Sequence, residues 1–279
     1  LTGYLLNCAI PRYAKFDRKN YFYPDMPKNY QLTQYDKPST QEGFVEFEFQ
    51  GRIERVRIIR AHLEEDVGKS FHFDRFSGVD FNRAGVPLME IVSHPDLTSA
   101  DMAYEYLNAL KEILVYGGVS DCDMEKGMVR CDVNVSVRPK GATELGAKIE
   151  IKNMNSFSGV RKALEYEIPR QIEVVQRGGK LIQSTRRWDD AAGITEEMRT
   201  KENAHDYRYF PDPDLMPFAP DDAWLAAVRE RVVELPLARK QRFMRDYQLP
   251  AGDAQTFVWD APLGNFFETA ARGAKNPKA

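Results

Sequence analysis

At 279 residues, 43% hydrophobic and 29% charged, the chain has the composition of a globular protein with room for one large domain and a small one. A net charge of −3 excludes a whole-molecule attraction for nucleic acid, so any RNA contact would come from local patches, and DNA is not an expected partner. Three cysteines without a C-x-x-C pair argue against a disulfide framework or a zinc site in this chain and for a reducing compartment, and no apolar run approaches the roughly 18 residues of a membrane span.

The chain opens on LTGYLLNCAI, with neither an initiator methionine nor the features of a signal peptide. Leu5, Leu6 and Ile10 are spaced like the end of a helix, so sequence upstream of Leu1 is expected. DRKNYFYPDMPK interleaves Arg18, Lys19 and Lys28 with Tyr21, Phe22 and Tyr23. That mixture suits phosphates and bases, and equally a turn at Pro24 and Asp25 with packed tyrosines. In GFVEFEFQ, Val45, Phe47 and Phe49 alternate with Glu46 and Glu48, the period of a half-buried strand. Gly51 then permits a turn into a second strand, RIERVRIIRAHLEED.

Between Thr98 and Gly117 the period changes to that of a helix, capped by Thr98 or Ser99 and stopped at Gly117 and Gly118. MVRCDVNVSVR then sets Val129, Cys131, Val133, Val135 and Val137 against Arg130, Asp132, Asn134, Ser136 and Arg138, and AKIEIKN repeats the device. Both read as strands with a fixed register. A long helix is predicted from about Ser156 to Gln176, kinked or split at Pro169. STRRWDD and HDYRYFPDPDL, with His205, read as loops crowded with arginine, aromatic and acidic residues. A lone histidine of this kind is more often packed or hydrogen-bonded than catalytic. PDPDLMPFAP marks a domain boundary, and the remainder reads helical, with Trp224, Leu225, Val228 and Val232 in one stripe.

Alternation exposes Asp132 and Glu150 on polar strand faces, Glu64, Glu65 and Asp66 follow the arginine-rich strand, and Glu90 ends PLME. Carboxylates gathered on a sheet could bind Mg²⁺ that bridges to nucleotide phosphates. The pattern alone favours an ordinary solvated sheet face. No Walker loop, dinucleotide fingerprint, H-E-x-x-H or nucleophile elbow occurs.

FDRKNYFYPDMPKNYQLTQYDKP, GVDFNRAGVPLMEIVSHPDL, GVSDCDMEKGMVRCDVNVSVRP, EIKNMNSFSGVRKALEYEIPRQ and KENAHDYRYFPDPDLMP occur in this order. Together they closely resemble the B-subunit family of the aspartyl/glutamyl-tRNA(Asn/Gln) amidotransferases, over essentially the whole chain. The resemblance implies an α+β fold, a glutamine synthetase-like cradle with antiparallel sheet and packed helices at 1–218, then the start of a small all-α domain at 219–279. It implies a carbon–nitrogen ligase that uses ATP and Mg²⁺ to phosphorylate the side chain of misacylated Glu-tRNA(Gln) or Asp-tRNA(Asn). Ammonia would come from an amidase (A) subunit, with a small C subunit completing the complex, in a bacterial cytoplasm or an organellar matrix.

Carried over by motif, Glu65, Asp132 and Glu150 would be catalytic metal ligands, joined by Glu64 and Glu90. Lys19, Tyr21 and Lys28 would line an ammonia route ending near Glu65, and Arg83, Arg186 and Arg208 would contact phosphate or tRNA. The family's Glu-x-His strand and its tRNA-docking tail are not in this sequence, so a non-catalytic tRNA-binding or scaffold fragment is the rival reading. A free-standing glutamine synthetase relative is a third.

Overall fold

The computed structural model describes residues 1–200 and 206–274, so His205 lies outside the described residues. Among these, the helices are α1 (Thr2–Leu5), α2 (Ala100–Tyr116), α3 (Phe157–Gln176), α4 (Asp222–Arg229), α5 (Pro236–Asp246), α6 (Ala251–Trp259) and α7 (Ala261–Ala271). The strands are β1 (Asp17–Asn20), β2 (Tyr30–Thr33), β3 (Gly43–Phe49), β4 (Arg52–Glu65), β5 (Lys69–His72), β6 (Ser77–Asp80), β7 (Pro87–Ser93), β8 (Val133–Val135), β9 (Ile149–Lys152), β10 (Ser184–Asp189), β11 (Ile194–Thr200) and β12 (Phe210–Pro211). The fold is mixed α+β. The chain forms two units: Leu1–Glu46, Arg55–Asp96 and Asp206–Ala279 make the first, Phe47–Glu54 and Leu97–His205 the second.

The first unit contains the sheets β12-β1-β2 and β5-β6 and, apart from the Phe47–Glu54 tip of the β3–β4 hairpin, the sheet β3-β4-β7. The β3–β4 turn is the two residues Gln50 and Gly51, both with positive φ (50° and 74°), the twist that tight hairpins demand and that glycine adopts without strain. Val45 and Phe47 are buried, as the sequence alternation predicts, while Phe49 is half-buried; Val56 and Ile58 of β4 are fully buried as well. β4 runs antiparallel to β7 with a bulge between Ile58 and Arg60, beyond which Ala61 faces Ile91, His62 faces Glu90 and Glu64 faces Leu88. In the β12-β1-β2 sheet, Asp17 pairs with both Pro211 and Thr33.

The second unit carries a four-stranded sheet, β11-β10-β9-β8, against α2 and α3. Ile151, Met154, Val160, Leu164 and Trp188 form its core with Ala103 and Ala163. The caps follow the sequence: Ser99 Oγ accepts from Met102 N–H at 3.1 Å and Ser156 Oγ from Gly159 N–H at 2.9 Å.

Several elements differ from the sequence expectation. MVRCDVNVSVR is not one long strand; burial alternates from Val129 to Val135, but only Val133–Val135 pair, because β8 is an edge strand beside a four-residue β9. STRRWDD is not a loop but β10, and β9 and β10 run parallel, joined through α3, which departs from a wholly antiparallel sheet. Its arginines are matched within the unit: Arg187 Nε donates to Glu196 Oε2 at 2.8 Å and Arg186 Nε to Thr195 Oγ1 at 2.8 Å. Pro169 does not split α3; it and Glu165, whose carbonyl it leaves without an intrahelical donor, both lie on the exposed side, where water can serve that carbonyl. Ile10 falls outside α1, which gives way to positive φ at Asn7, and Val232 lies beyond the end of α4.

Glu167 on α3 is fully buried. It accepts hydrogen bonds from Arg170 at 2.6 and 2.8 Å, Gln171 at 3.0 Å and Thr195 at 2.6 Å, tying α3 to β11. Burial pushes its carboxyl pKa up, but the hydrogen bonds from Arg170, Thr195 and Gln171 outweigh it and hold the group below the usual glutamate value. A depressed pKa stabilises the fold above the unfolded value, about 4.3, and that stabilisation fades as pH falls through the lower folded value. Glu167→Ala should therefore cost about 3–5 kcal/mol at pH 7 by urea unfolding, and the gap to the unaltered chain should narrow at acid pH.

Candidate active site

The period-two geometry of β4 sets His62 and Glu64 on one face, and the β4–β7 register sets Glu90 directly across from His62. His62 is buried, with Nε2 3.3 Å from Glu64 Oε1 and 3.1 Å from Glu90 Oε2. One ligand atom from each of the three lies within 4.8 Å of the others, close enough to share a cation. The neighbouring Glu65 is held from a different side. Its Oε1 accepts from Lys28 Nζ at 2.5 Å and from the Leu32 N–H at 2.9 Å, while Gln31 Nε2 donates to its backbone carbonyl at 2.7 Å. Thr33 Oγ1 donates to Glu64 Oε1 at 2.8 Å, so consecutive residues of β2 fasten both carboxylates.

Basic and phenolic groups surround this acidity. Hydrogen bonding to His62 lowers the Glu90 pKa against the effect of burial, with Lys19 and Arg60 adding to it. For His62, burial would lower the pKa, but its bonds to Glu64 and Glu90 win and raise it. Tyr21 is pushed up by burial and by the charges of Asp25, Glu64 and Glu65, so its phenol stays protonated. Burial, with Tyr207 and Glu64, pushes Tyr209 up to about 12. Tyr209 also stacks on Tyr35, with centroids 4.1 Å apart and planes 5° from parallel, and Lys19 Nζ stands 5.0 Å from the ring centre of Tyr207.

Asp132 and Glu150 belong to the second unit. There Lys152 Nζ reaches Asp132 Oδ2 at 2.5 Å and Glu150 Oε1 at 3.3 Å, and Thr185 Oγ1 donates to Glu150 Oε2 at 2.9 Å. One lysine ammonium thus bridges the two carboxylates. The parallel β9–β10 pairing sets Thr185 opposite Glu150.

The three arginines singled out from sequence differ in availability. Arg83 donates to the Val67 and Gly68 carbonyls at 3.0 and 3.2 Å and pairs with Asp66, bracing its own loop. Arg186 is largely buried among Thr195, Glu167 and Glu197. Arg208 is exposed beside Asp206, with φ of 44°. Sequence reasoning missed His62. The signal was in HLEED, where period two joins His62 to Glu64.

The profile described as the GatB/GatE catalytic domain matches residues 1–226. The chain belongs to this family. Among curated relatives it is 53% identical over 279 residues to the aspartyl/glutamyl-tRNA(Asn/Gln) amidotransferase B subunit of Thermoanaerobacter sp. (strain X514), covering all of this chain and 59% of that protein. Proteins of the same name from Methylacidiphilum infernorum and Opitutus terrae are 54% and 50% identical, covering all of this chain and 60% and 59% of theirs. The chain thus spans about 59% of the length of the B-subunit relatives it matches. The GatB/GatE match takes in both carboxylate groups and ends within α4.

The donors at His62, Glu64 and Glu90 are two carboxylate oxygens and one imidazole nitrogen, a set able to hold a divalent cation. Glu64→Ala combined with Glu90→Ala should weaken Mg²⁺ binding to the chain at least about tenfold by isothermal titration. Equal affinity in the double variant would remove the cluster from consideration as a metal site.

Proposed function

We propose that this chain is the catalytic portion of the B subunit of a glutamine-dependent tRNA amidotransferase, acting as a carbon–nitrogen ligase on misacylated Glu-tRNA(Gln) or Asp-tRNA(Asn). The observation that carries this reading is the 53% identity to proteins so named along the entire chain. On this reading residues 1–218 form a glutamine synthetase-like cradle and 219–279 open a helical domain. An amidase subunit and a small C subunit are partners, and the complex works in the cytoplasm.

The chemical problem is that a side-chain carboxylate is a poor acyl donor. Its oxygen attacks the γ-phosphorus of ATP and the bond to ADP breaks; ammonia then attacks the acyl carbon, the carbon–oxygen bond to phosphate breaks, and a proton leaves the nitrogen. Glu64, Glu65 and Glu90 in the first unit, and Asp132 and Glu150 in the second, would each be Mg²⁺ ligands, and Mg²⁺ when bound neutralises nucleotide phosphates. Lys28 and the Leu32 N–H fix Oε1 of Glu65, and Oε2 lies toward Gly85, leaving room for an ordinary contact at 3.9 Å from a methyl group there. That leaves Oε2 as the Glu65 oxygen open to a cation. Gly85 has φ of 80°, so any other residue there would be strained. Lys19, Tyr21 and Lys28 would guide ammonia to Glu65; Tyr21, kept as a neutral phenol, can both donate and accept hydrogen bonds. Arg208 is the arginine left for tRNA or phosphate, while Arg83 and Arg186 brace structure.

In the full-length protein assembled with its partners, Asp132→Ala or Glu150→Ala should abolish amide formation on misacylated tRNA, a fall of roughly a thousandfold or more. Glutamine hydrolysis measured in parallel separates lost chemistry from lost assembly. Undiminished transamidation would remove the two residues from the site.

A further inference from the structure

The stretch between β4 and β7 carries a feature that the proposed chemistry does not use. β5 and β6 form a two-stranded sheet of their own, closed by the turn Phe73–Phe76, where the Phe73 N–H donates to the Phe76 carbonyl at 2.9 Å. Two-stranded hairpins are marginal without a face to pack on, yet this one leaves its aromatics in water. Phe73 is 55% exposed and Phe76 65%, and Phe71 and Phe81 are exposed as well. Strand alternation puts Lys69, Phe71 and Phe73 on one face. Phe71 stands opposite Gly78, which has no side chain to cover its ring. The rings of Phe73 and Phe76 already stack, 4.7 Å apart at 29°. Lys69 Nζ lies 4.8 Å from the centre of Phe71, and Arg75 is exposed at the turn, with Asp74 beside it and Asp80 opposite Lys69.

The root of this hairpin is fastened to the carboxylate cluster. Gly68 follows Glu65 by three residues, its N–H donates to the Asp25 carbonyl at 2.9 Å, and Arg83 clamps the carbonyls of Val67 and Gly68. The Gly85 N–H bonds back to the Asp66 carbonyl at 2.9 Å, closing the loop beside Glu65. On the function proposed above, the aminoacyl end of the RNA enters beside Glu64 and Glu65, and the root of the hairpin begins three residues after Glu65. Exposed rings interleaved with cations are the surface that unpaired bases stack on.

We propose that the aromatic face of β5–β6, chiefly Phe73 and Phe76, stacks the unpaired 3′-terminal bases of the aminoacylated RNA; this rests on the tRNA-dependent function proposed above. The stacking is indifferent to base identity, so it grips the end common to different tRNA substrates, while Lys69 and Arg75 meet its phosphates.

The test uses the full-length protein in its complex and misacylated tRNA with 2-aminopurine in place of the 3′-terminal adenine. Binding should quench the fluorophore in the unaltered complex. Phe73→Leu with Phe76→Leu should relieve the quench and raise KM for tRNA roughly tenfold or more, and Phe73→Tyr with Phe76→Tyr should restore both. Quenching and KM unchanged in the leucine variant overturn the inference. So does loss of complex assembly with quenching intact, which would assign the face to a protein partner. An unaltered complex that makes amide without quenching sinks the inference alone, and one that makes no amide sinks both it and the function on which it rests.

Discussion

The antiparallel register between β4 and β7 is the constraint on which the first unit's carboxylate site depends. It places Glu90 across from His62, and the pleat brings Glu64 to the same face. The bulge between Ile58 and Arg60 matters as much as the pairing. Without that extra residue, His62 and Glu64 would share the face of Val56 and Ile58, which are fully buried. One inserted residue thus turns a core-forming strand into one that ends in acid.

Gathering carboxylates is costly unless each is matched, and the matching differs between the two units. In the first, Glu65 leans on a lysine and a backbone amide, while Glu64 and Glu90 share the one nitrogen of a buried imidazole. In the second, a single ammonium serves both Asp132 and Glu150. Each arrangement sets cationic or hydrogen-bonding groups against the acids, which offsets the repulsion between neighbouring carboxylates. Glu167 illustrates another use of the same chemistry: fully enclosed, it accepts from Arg170, Gln171 and Thr195 and ties α3 to β11.

The β3–β4 hairpin, α2, α3 and their caps were legible in the sequence because each is dictated by local rules: period, cap chemistry and glycine at positive φ. Ile149 and Ile151 were legible as core for the same reason. Elements set by distant partners were not. β10 looked like a loop because its arginines find acceptors on β11 and α3, and nothing within STRRWDD reveals them. β8 was overextended because the length of a ladder belongs to both strands. At the site, Glu64, Glu65 and Glu90 could be named in advance by family resemblance. The period of HLEED already joins His62 to Glu64, but the facing of His62 and Glu90 follows from the bulge and the register, and a bulge leaves no periodic trace.

The first unit is discontinuous in sequence, and this bears on how the protein is made. β1 acquires its second neighbour only when β12 arrives, with the whole of residues 97–205 synthesised between them. On the ribosome the interposed unit is complete first, while β1 waits with one bare edge, the kind of surface that recruits unwanted strands. Arg18 waits with it, since its buried partner Asp212 is supplied by the same late segment, at 2.7 Å. Chains released before Phe210 would therefore be marked for quality control by an open strand edge and an unmatched guanidinium, whatever the state of the unit already folded.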